Sequence, residues 1–186
     1  MAEHGLSKKV IGVAFDGTGY GTDGNLWGGE FLIADIEGFD RVGQFKYIPL
    51  PGGEAAIREP WKTAVSYAAD AYGAQAATRL AAIGFPERHG QTSIDQILKI
   101  AGSSDLSPLS SGAGRLFDAV AALLGICDRN TFEGEAAIAL EALTVAGINA
   151  EYPIVLTREN EYTVLDFRDA VISLINDIVK NEPKSI

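Results

Sequence analysis

Residues 10–29 read VIGVAFDGTGYGTDGNLWGG, an apolar run that passes into six glycines within thirteen residues, with one acid, Asp16, at the junction. VIGVAF is β-branched and apolar without polar alternation, the pattern of a strand buried on both faces. A backbone that gives up so many side chains directly after a strand is suited to close approach, because nothing beyond Cα holds a neighbouring group away. Two more strand candidates follow, LWGGEFLIADI at 26–36 and VGQFKYIPL at 42–50. The Asp23-Gly24 pair before them favours a turn that folds the chain back antiparallel. The glycines therefore belong to a β-hairpin.

Two familiar phosphate cradles fail on this stretch. A dinucleotide fingerprint needs G-x-G-x-x-G opening a helix, whereas the spacing here is G-x-G-x-G and a strand comes next. A P-loop needs a lysine and a hydroxyl after its last glycine; Gly12 to Gly17 has the right gap, but Thr18 stands in the lysine position. What remains is a strand, an acid at its end, and a glycine hairpin whose N–H groups can converge on an anion, a geometry that suits the phosphate hairpin of actin-like ATPases. Glycine-rich hairpins also occur simply as tight or bulged turns.

Beyond residue 50 the pattern turns helical. An alanine-rich helix is expected from Glu54 to Leu80, with Pro60 in a first turn and Gly84 and Pro86 as the stop. SIDQILKIA reads as a short amphipathic helix with Ser93 as N-cap. AGRLFDAVAALLG places Leu116, Phe117, Val120, Leu123 and Leu124 on one helical face. EGEAAIALEALTVAG is a further helix closed by Gly147. YPIVL and YTVLD suggest a hairpin around Arg158 to Glu161, and Asp166 caps a last helix, FRDAVISLINDIVKN, that stops before Pro183. The chain thus reads as one partial domain: strands and hairpin at 9–50, a helical part at 54–150, and a hairpin and helix at 151–183. The fold class is α/β, with α+β as the alternative.

With 186 residues, 47% of them hydrophobic, the chain is long enough for a sizeable core and reads as one globular domain or part of a larger one. A net charge of −10 argues against a nucleic-acid partner, which would need clustered Lys and Arg. The single cysteine, Cys127, lies in the apolar run AVAALLGIC and is expected in the core. No apolar run is long enough to span a bilayer and MAEHGLSKK has no hydrophobic signal core, so a cytoplasmic location is expected.

Three further segments carry candidate site residues. In SSGAGRLFDAVAALLG, small residues including Ser111 precede a helix start, so backbone N–H groups and a positive dipole end face whatever sits there. Arg115 and Asp118 are three apart on that helix, a spacing that by itself favours an ion pair on a solvated surface. TFEGEAA sets Gly134 at the opening of the next helix. PLPGGEAAIREP carries Arg58, either a fork for phosphate or carboxylate or a solvated charge.

The motifs VIGVAFDGTGYGTDGNLWGGEFL, PLPGGEAAIREPWK, SSGAGRLFDAVAALLG and FEGEAAIALEAL, in this order over nearly the whole chain, resemble the HypF family of hydrogenase-maturation carbamoyltransferases in their large C-terminal domain. That domain is related to the threonylcarbamoyl transferase that modifies tRNA. The resemblance implies an actin-like, hexokinase-like ATPase fold of the ribonuclease H-like type. It implies that carbamoyl phosphate and ATP become a carbamoyl-adenylate in an upstream domain, and that the carbamoyl group then passes to the C-terminal cysteine of the partner HypE. It gives Asp16 as a ligand of a divalent metal, zinc or iron, with Gly17, Thr18, Gly19, Gly21 and Ser111 around the phosphate. Asp118 and Gly134 match positions on the nucleotide's sugar side, and Arg58 and Arg115 are the catalytic candidates. No nucleophile is required of this chain, since the attacking thiolate belongs to the partner.

The family's histidine cluster and its second aspartate ligand have no counterpart here. His4 and His89 occupy neither place and are expected as exposed histidines without co-ligands. The chain is therefore expected to be a fragment, with Met1 an internal residue and little carbamoyl transfer on its own. The competing readings are a small-molecule kinase of the same superfamily and a non-enzymatic module docking a protein through its acidic surface.

Overall fold

The Asp23-Gly24 turn joins two long antiparallel strands, β1 (Val10–Tyr20) and β2 (Leu26–Ala34). In this computed structural model, which describes residues 2–159 and 161–183, β1 does not end at Asp16 but runs on through the glycines to Tyr20. Phe15 pairs with Gly29 and Gly19 with Trp27, so β1 carries more chain than β2 across that interval. Asp16, Gly17 and Thr18 form the resulting bulge, which bends the strand.

Onto β2 pack β3 (Phe39–Phe45), antiparallel, and, in sequence order later, β5 (Leu109–Ser110), parallel through Leu26 and Ser110. Between them in the chain lies β4 (Ile48–Pro49), antiparallel to β5. β6 (Val155–Glu159) and β7 (Tyr162–Asp166) form the second hairpin, and β7 lies parallel to β3. The expected hairpin around Arg158 to Glu161 is formed by these strands, with Asn160 outside the described residues. The result is a mixed sheet in the order β4-β5-β2-β3-β7-β6, with β1 on β2.

The first strand is not buried as its composition suggests. Among the described residues β1 has β2 as its only partner, and Ile11, Val13 and Phe15 are 79%, 55% and 56% exposed. An unbroken apolar run reports hydrophobicity, not whether both sides of the strand are covered.

Eight α-helices among the described residues supply the other layer: α1 (Glu54–Arg58), α2 (Pro60–Tyr72), α3 (Ala76–Ala81), α4 (Phe85–His89), α5 (Gln91–Ala101), α6 (Ala113–Leu123), α7 (Glu135–Glu141) and α8 (Arg168–Val179). The single helix expected from Glu54 to Leu80 is broken twice. Glu59 is extended (φ −124°) because the following proline disfavours the helical region there. Gly73, at φ +55°, ends α2 and opens a 3-10 turn. Pro86 is not a stop but sits in the first turn of α4, and Gly90, not Ser93, is the N-cap position of α5. α7 is much shorter than the expected 133–147, ending at Glu141. The N-cap position of the last helix is Phe167 and not Asp166, although Asp166 Oδ1, one residue earlier, accepts the Arg168 N–H at 3.0 Å.

The core is built almost wholly by these helices. Val65, Leu80, Phe85, Ile94, Leu123 and Ile175 are essentially inaccessible, each contributing about 1.5–3 kcal/mol by leaving water. Ala64 and Ala68 on α2 and Ala119 and Ala122 on α6 are also fully enclosed, and their small side chains let helix axes approach. Cys127 is a free thiol in this core, as its sequence context implies. His89 is a correction: its imidazole is 8% exposed, stacked on Trp61 at 4.6 Å between ring centres and 3.4 Å from Asp128. The aromatic partner on α2, not the local sequence, decides that burial.

Candidate functional site

The β1 bulge lies directly on the start of α6, backbone against backbone. A Cβ on Gly112 would stand 2.5 Å from the Gly17 carbonyl oxygen, one on Gly114 2.8 Å from Gly17 Cα, and one on Gly28 2.5 Å from the Asp16 oxygen. Real side chains do not tolerate such distances, so glycine at these places is a packing requirement. Gly19 faces the Trp27 carbonyl, and a Cβ on Gly21 would overlap the Trp27 indole. The turn beyond is held by Asp23, whose carboxylate accepts from Tyr47, Arg41, the Trp27 indole N–H and the Asn25 N–H at 2.7–3.1 Å. Burial pushes the Asp23 carboxyl up, but these four hydrogen bonds outweigh it and hold it well below the usual carboxylate range. Arg41 in turn stacks on Trp27 and Tyr162, and a cavity of about 400 Å³ opens beside Thr22, Asp23, Trp27 and Arg41.

Beneath the hairpin sits a carboxylate absent from the candidates that the motifs supply. Glu30 is 2% exposed; its Oε2 accepts the N–H groups of Gly28 and Gly29 at 2.6 and 2.8 Å, and its Oε1 accepts the Ser111 hydroxyl at 2.5 Å. The Ser111 N–H meanwhile donates to the Leu26 carbonyl at 2.9 Å. Ser111 is thus enclosed, joining β2 to the segment that enters α6. An acid in an otherwise apolar strand, WGGEFLIA, is the signal that could have found it.

Arg115 and Asp118 are not a surface pair. They are 9% and 3% exposed, with Arg115 Nη2 2.9 Å from Asp118 Oδ2, off the line of a good hydrogen bond. The Arg115 guanidinium rests over Gly17, within 3.2 Å of where a side chain there would begin, and its Nε and Nη1 have no hydrogen-bond partner among the described residues. Burial pushes the Asp118 carboxyl above its ordinary value, and Arg115 and Asn130 only partly offset this. The i,i+3 spacing does pair the two; the hairpin covers Arg115 at Gly17, and Asn130 lies against Asp118.

Asn130 ties the remaining segments to this pair. Its Nδ2 donates to Asp118 Oδ1 at 3.1 Å and to the Ile57 carbonyl at 2.9 Å, its Oδ1 accepts the Ala136 N–H at 3.2 Å, and its own N–H donates to the Arg58 carbonyl at 2.9 Å. One residue therefore joins the C-terminal end of α1, α6 and the start of α7. The Arg58 side chain points elsewhere, paired with Glu54 beside a cleft of about 340 Å³ that Glu59 and Arg129 also line. Gly134 is exposed at φ +78° with open space at its Cβ position, so its glycine serves conformation and not close packing.

Asp16 is exposed, and its Oδ1 accepts the neighbouring Gly17 N–H at 2.6 Å; Thr18 beside it is also exposed. Among the described residues no group of three or more His, Cys, Asp or Glu side chains gathers to hold a metal. A lone carboxylate with its oxygen turned to the backbone does not fit a zinc or iron centre, which needs several clustered ligands. The site that does exist is a backbone cradle: the glycine bulge, the positive end of an eleven-residue helix and a buried guanidinium with unused donors. Together these favour a compact anion.

Residues 12–186 match the family model described as "Carbamoyltransferase, Kae1-like Domain, second subdomain". The chain is 41% identical over 151 residues to carbamoyltransferase HypF2 of Cupriavidus necator, covering 77% of this chain and 17% of that protein. It is 46% identical over 136 residues to carbamoyltransferase HypF of Rhodobacter capsulatus, covering 73% and 17%. Among solved structures, full-length HypF in its phosphate- and nucleotide-bound form superposes with a TM-score of 0.85 at 38% identity, over 100% of this chain and 28% of that one. The HypF of T. kodakarensis gives 0.78 at 30% identity, over 100% and 24%. The chain therefore spans less than a third of the length of these relatives.

Proposed function

The chain belongs to the HypF carbamoyltransferase family, and on that premise we propose that it is the part of such an enzyme that holds a carbamoyl-adenylate during transfer of the carbamoyl group to a cysteine thiolate of HypE. The observation that carries this reading is the convergence of residues far apart in the chain, Gly17, Arg115, Asp118 and Asn130, on one backbone cradle whose buried guanidinium keeps two nitrogens without a hydrogen-bond partner among the described residues. The similar full-length HypF was solved with phosphate and nucleotide bound, ligands of the kind such a cradle suits.

In the proposed reaction the bulge at Gly17, the N-terminus of α6 and Arg115 bind and orient the adenylate phosphate, placing donors where negative charge collects. The thiolate attacks the carbamoyl carbon, the bond from that carbon to the phosphate oxygen breaks, and AMP leaves with the bonding electrons. Asp118 and Asn130 keep Arg115 in place. A divalent metal would supply Lewis-acid polarisation, but Asp16 alone does not form its site, and no step here depends on it. The chain alone is accordingly proposed to transfer little, and the reaction is proposed to occur in the cytoplasm. No helix among the described residues is long and apolar enough to cross a membrane.

The test is mass spectrometry of a HypE C-terminal peptide mixed with the chain, carbamoyl phosphate and ATP. No thiocarboxamide is expected from the isolated chain, whereas clear product would contradict the proposed dependence on further segments.

A further inference from the structure

We propose that Glu30 is a positioning residue, a buried latch that sets the glycine bulge at the correct height over α6 for an adenylate phosphate. The inference rests on the adenylate-binding reading above and extends it to a residue outside the bulge. The hydrogen bonds of the Glu30 carboxylate go to Gly28, Gly29 and Ser111, and it acts through what it holds. One oxygen fixes the N–H groups of Gly28 and Gly29, and a Cβ on Gly28 would collide with the Asp16 oxygen and the Gly112 Cα. The other oxygen fixes the Ser111 hydroxyl, one residue before Gly112. The two sides of the cradle, β2 under the bulge and the entry to α6, are therefore gripped by one buried carboxylate.

The chemistry of the latch is specific. Three donors converge on Glu30, so the group must accept at both oxygens, and charge-assisted bonds of this kind are the strong ones. A glutamine keeps most of it. Its Oε1 still accepts from Gly28 and Gly29, its Nε2 donates to Ser111 Oγ, and the Ser111 proton turns to the Leu26 carbonyl, which already lies 3.3 Å away. An alanine removes the acceptor of the Gly28 and Gly29 N–H groups and leaves the Ser111 hydroxyl only the longer bond to the Leu26 carbonyl.

Isothermal titration of AMP into the 186-residue chain and into Glu30→Gln, Glu30→Ala and Ser111→Ala, at a temperature where each is folded by circular dichroism, tests this. Affinity is expected within about threefold of wild type for Glu30→Gln and weakened roughly tenfold or more for Glu30→Ala, with Ser111→Ala between, since each tenfold reflects a modest loss of alignment energy. In the free protein, the Gly17 and Gly114 amide resonances are expected to shift in Glu30→Ala and Ser111→Ala but not in Glu30→Gln. If Glu30→Ala does not fold, Ser111→Ala alone decides, by the same two readouts. A wild-type chain that binds no AMP overturns the adenylate reading and this inference with it. A wild-type chain that binds AMP while the alanine variants bind equally well overturns the positioning role alone.

Discussion

Gly114 and Gly17 meet without a side chain between them: a Cβ on Gly114 would lie 2.8 Å from Gly17 Cα. This contact, between residues far apart in the chain, is what brings the glycine bulge onto the positive end of α6. Gly114→Ala is expected to cost about 1–3 kcal/mol by overpacking, lowering Tm by several degrees and displacing the Gly17 amide resonance. Gly134→Ala is the contrast, because its Cβ position is open and its cost is the left-handed φ of +78°, about 1–2 kcal/mol. It should leave Gly17 unmoved. Thermal unfolding together with amide spectra separates the two; equal displacement of Gly17 in both variants contradicts the packing argument.

Asn130→Ala removes the partner of Asp118 Oδ1, of the Ile57 carbonyl and of the Ala136 N–H together. A loss of about 2–4 kcal/mol in denaturant unfolding is expected, since each buried group left unpaired costs roughly 1–3 kcal/mol and some regain water. Asn130→Asp places a second acid beside a carboxyl that burial already pushes up. For an acid whose folded pKa is raised, the folded state binds the extra proton, so the associated stability is present at low pH and is lost as pH rises through the folded value. The Asn130→Asp defect should therefore be largest near neutral pH and shrink on acidification.

The Asp23 cluster titrates in the opposite sense. Its folded pKa is depressed, so its contribution is present above the ordinary value of 3.8 and is lost as pH falls below it. Asp23→Asn is expected to lose about 1 kcal/mol at pH 7, a charged hydrogen-bond network discounted for partial exposure. The difference between the two proteins should narrow progressively as pH falls below about 4, because the folded carboxyl takes up its proton only well below the unperturbed carboxylate value. Parallel stability curves over that range would contradict the assignment.

β1 offers an exposed apolar edge, with Ile11 and Val13 mostly open to solvent, and such edges promote strand-to-strand association. Ile11→Lys is expected to reduce self-association in light scattering with stability changed by no more than about 0.5 kcal/mol, as for an ordinary surface substitution. A large drop in Tm would mean that Ile11 is packed in solution.

The order of strands, hairpin and helices is legible in the sequence because it follows from local pattern: the Asp23-Gly24 turn, the helical apolar spacing of Leu116, Val120 and Leu123, and Asp166 just before the last helix. That spacing marks α6 as a helix but misses its buried face, which carries Arg115, Asp118, Ala119 and Ala122 while Phe117 is exposed. Breaks at Glu59 and Gly73 are less legible, since alanine-rich helical propensity masks a residue before proline and a single glycine. Contacts set by distant chain leave no local trace. Arg115 is covered by the hairpin at Gly17, Asp118 is met by Asn130, His89 is covered by Trp61, and β1 is bare because nothing among the described residues pairs with its outer edge. Glu30 and Asn130 carry no periodic signal, and their roles emerge only when Ser111 and Asp118 come within reach.

The proposed chemistry stands or falls with the bulge at Gly17 to Gly21, set on α6, holding an adenylate phosphate. AMP titrated into the ¹⁵N-labelled chain, with the amide resonances followed one by one, reads that event at the residues themselves. Saturable shifts are expected at Gly17, Thr18, Gly19 and at Gly112 to Arg115, with the exposed Gly38 and Gly147 unmoved. Shifts absent from those residues while AMP binds elsewhere, or no shift anywhere at millimolar AMP, would contradict it.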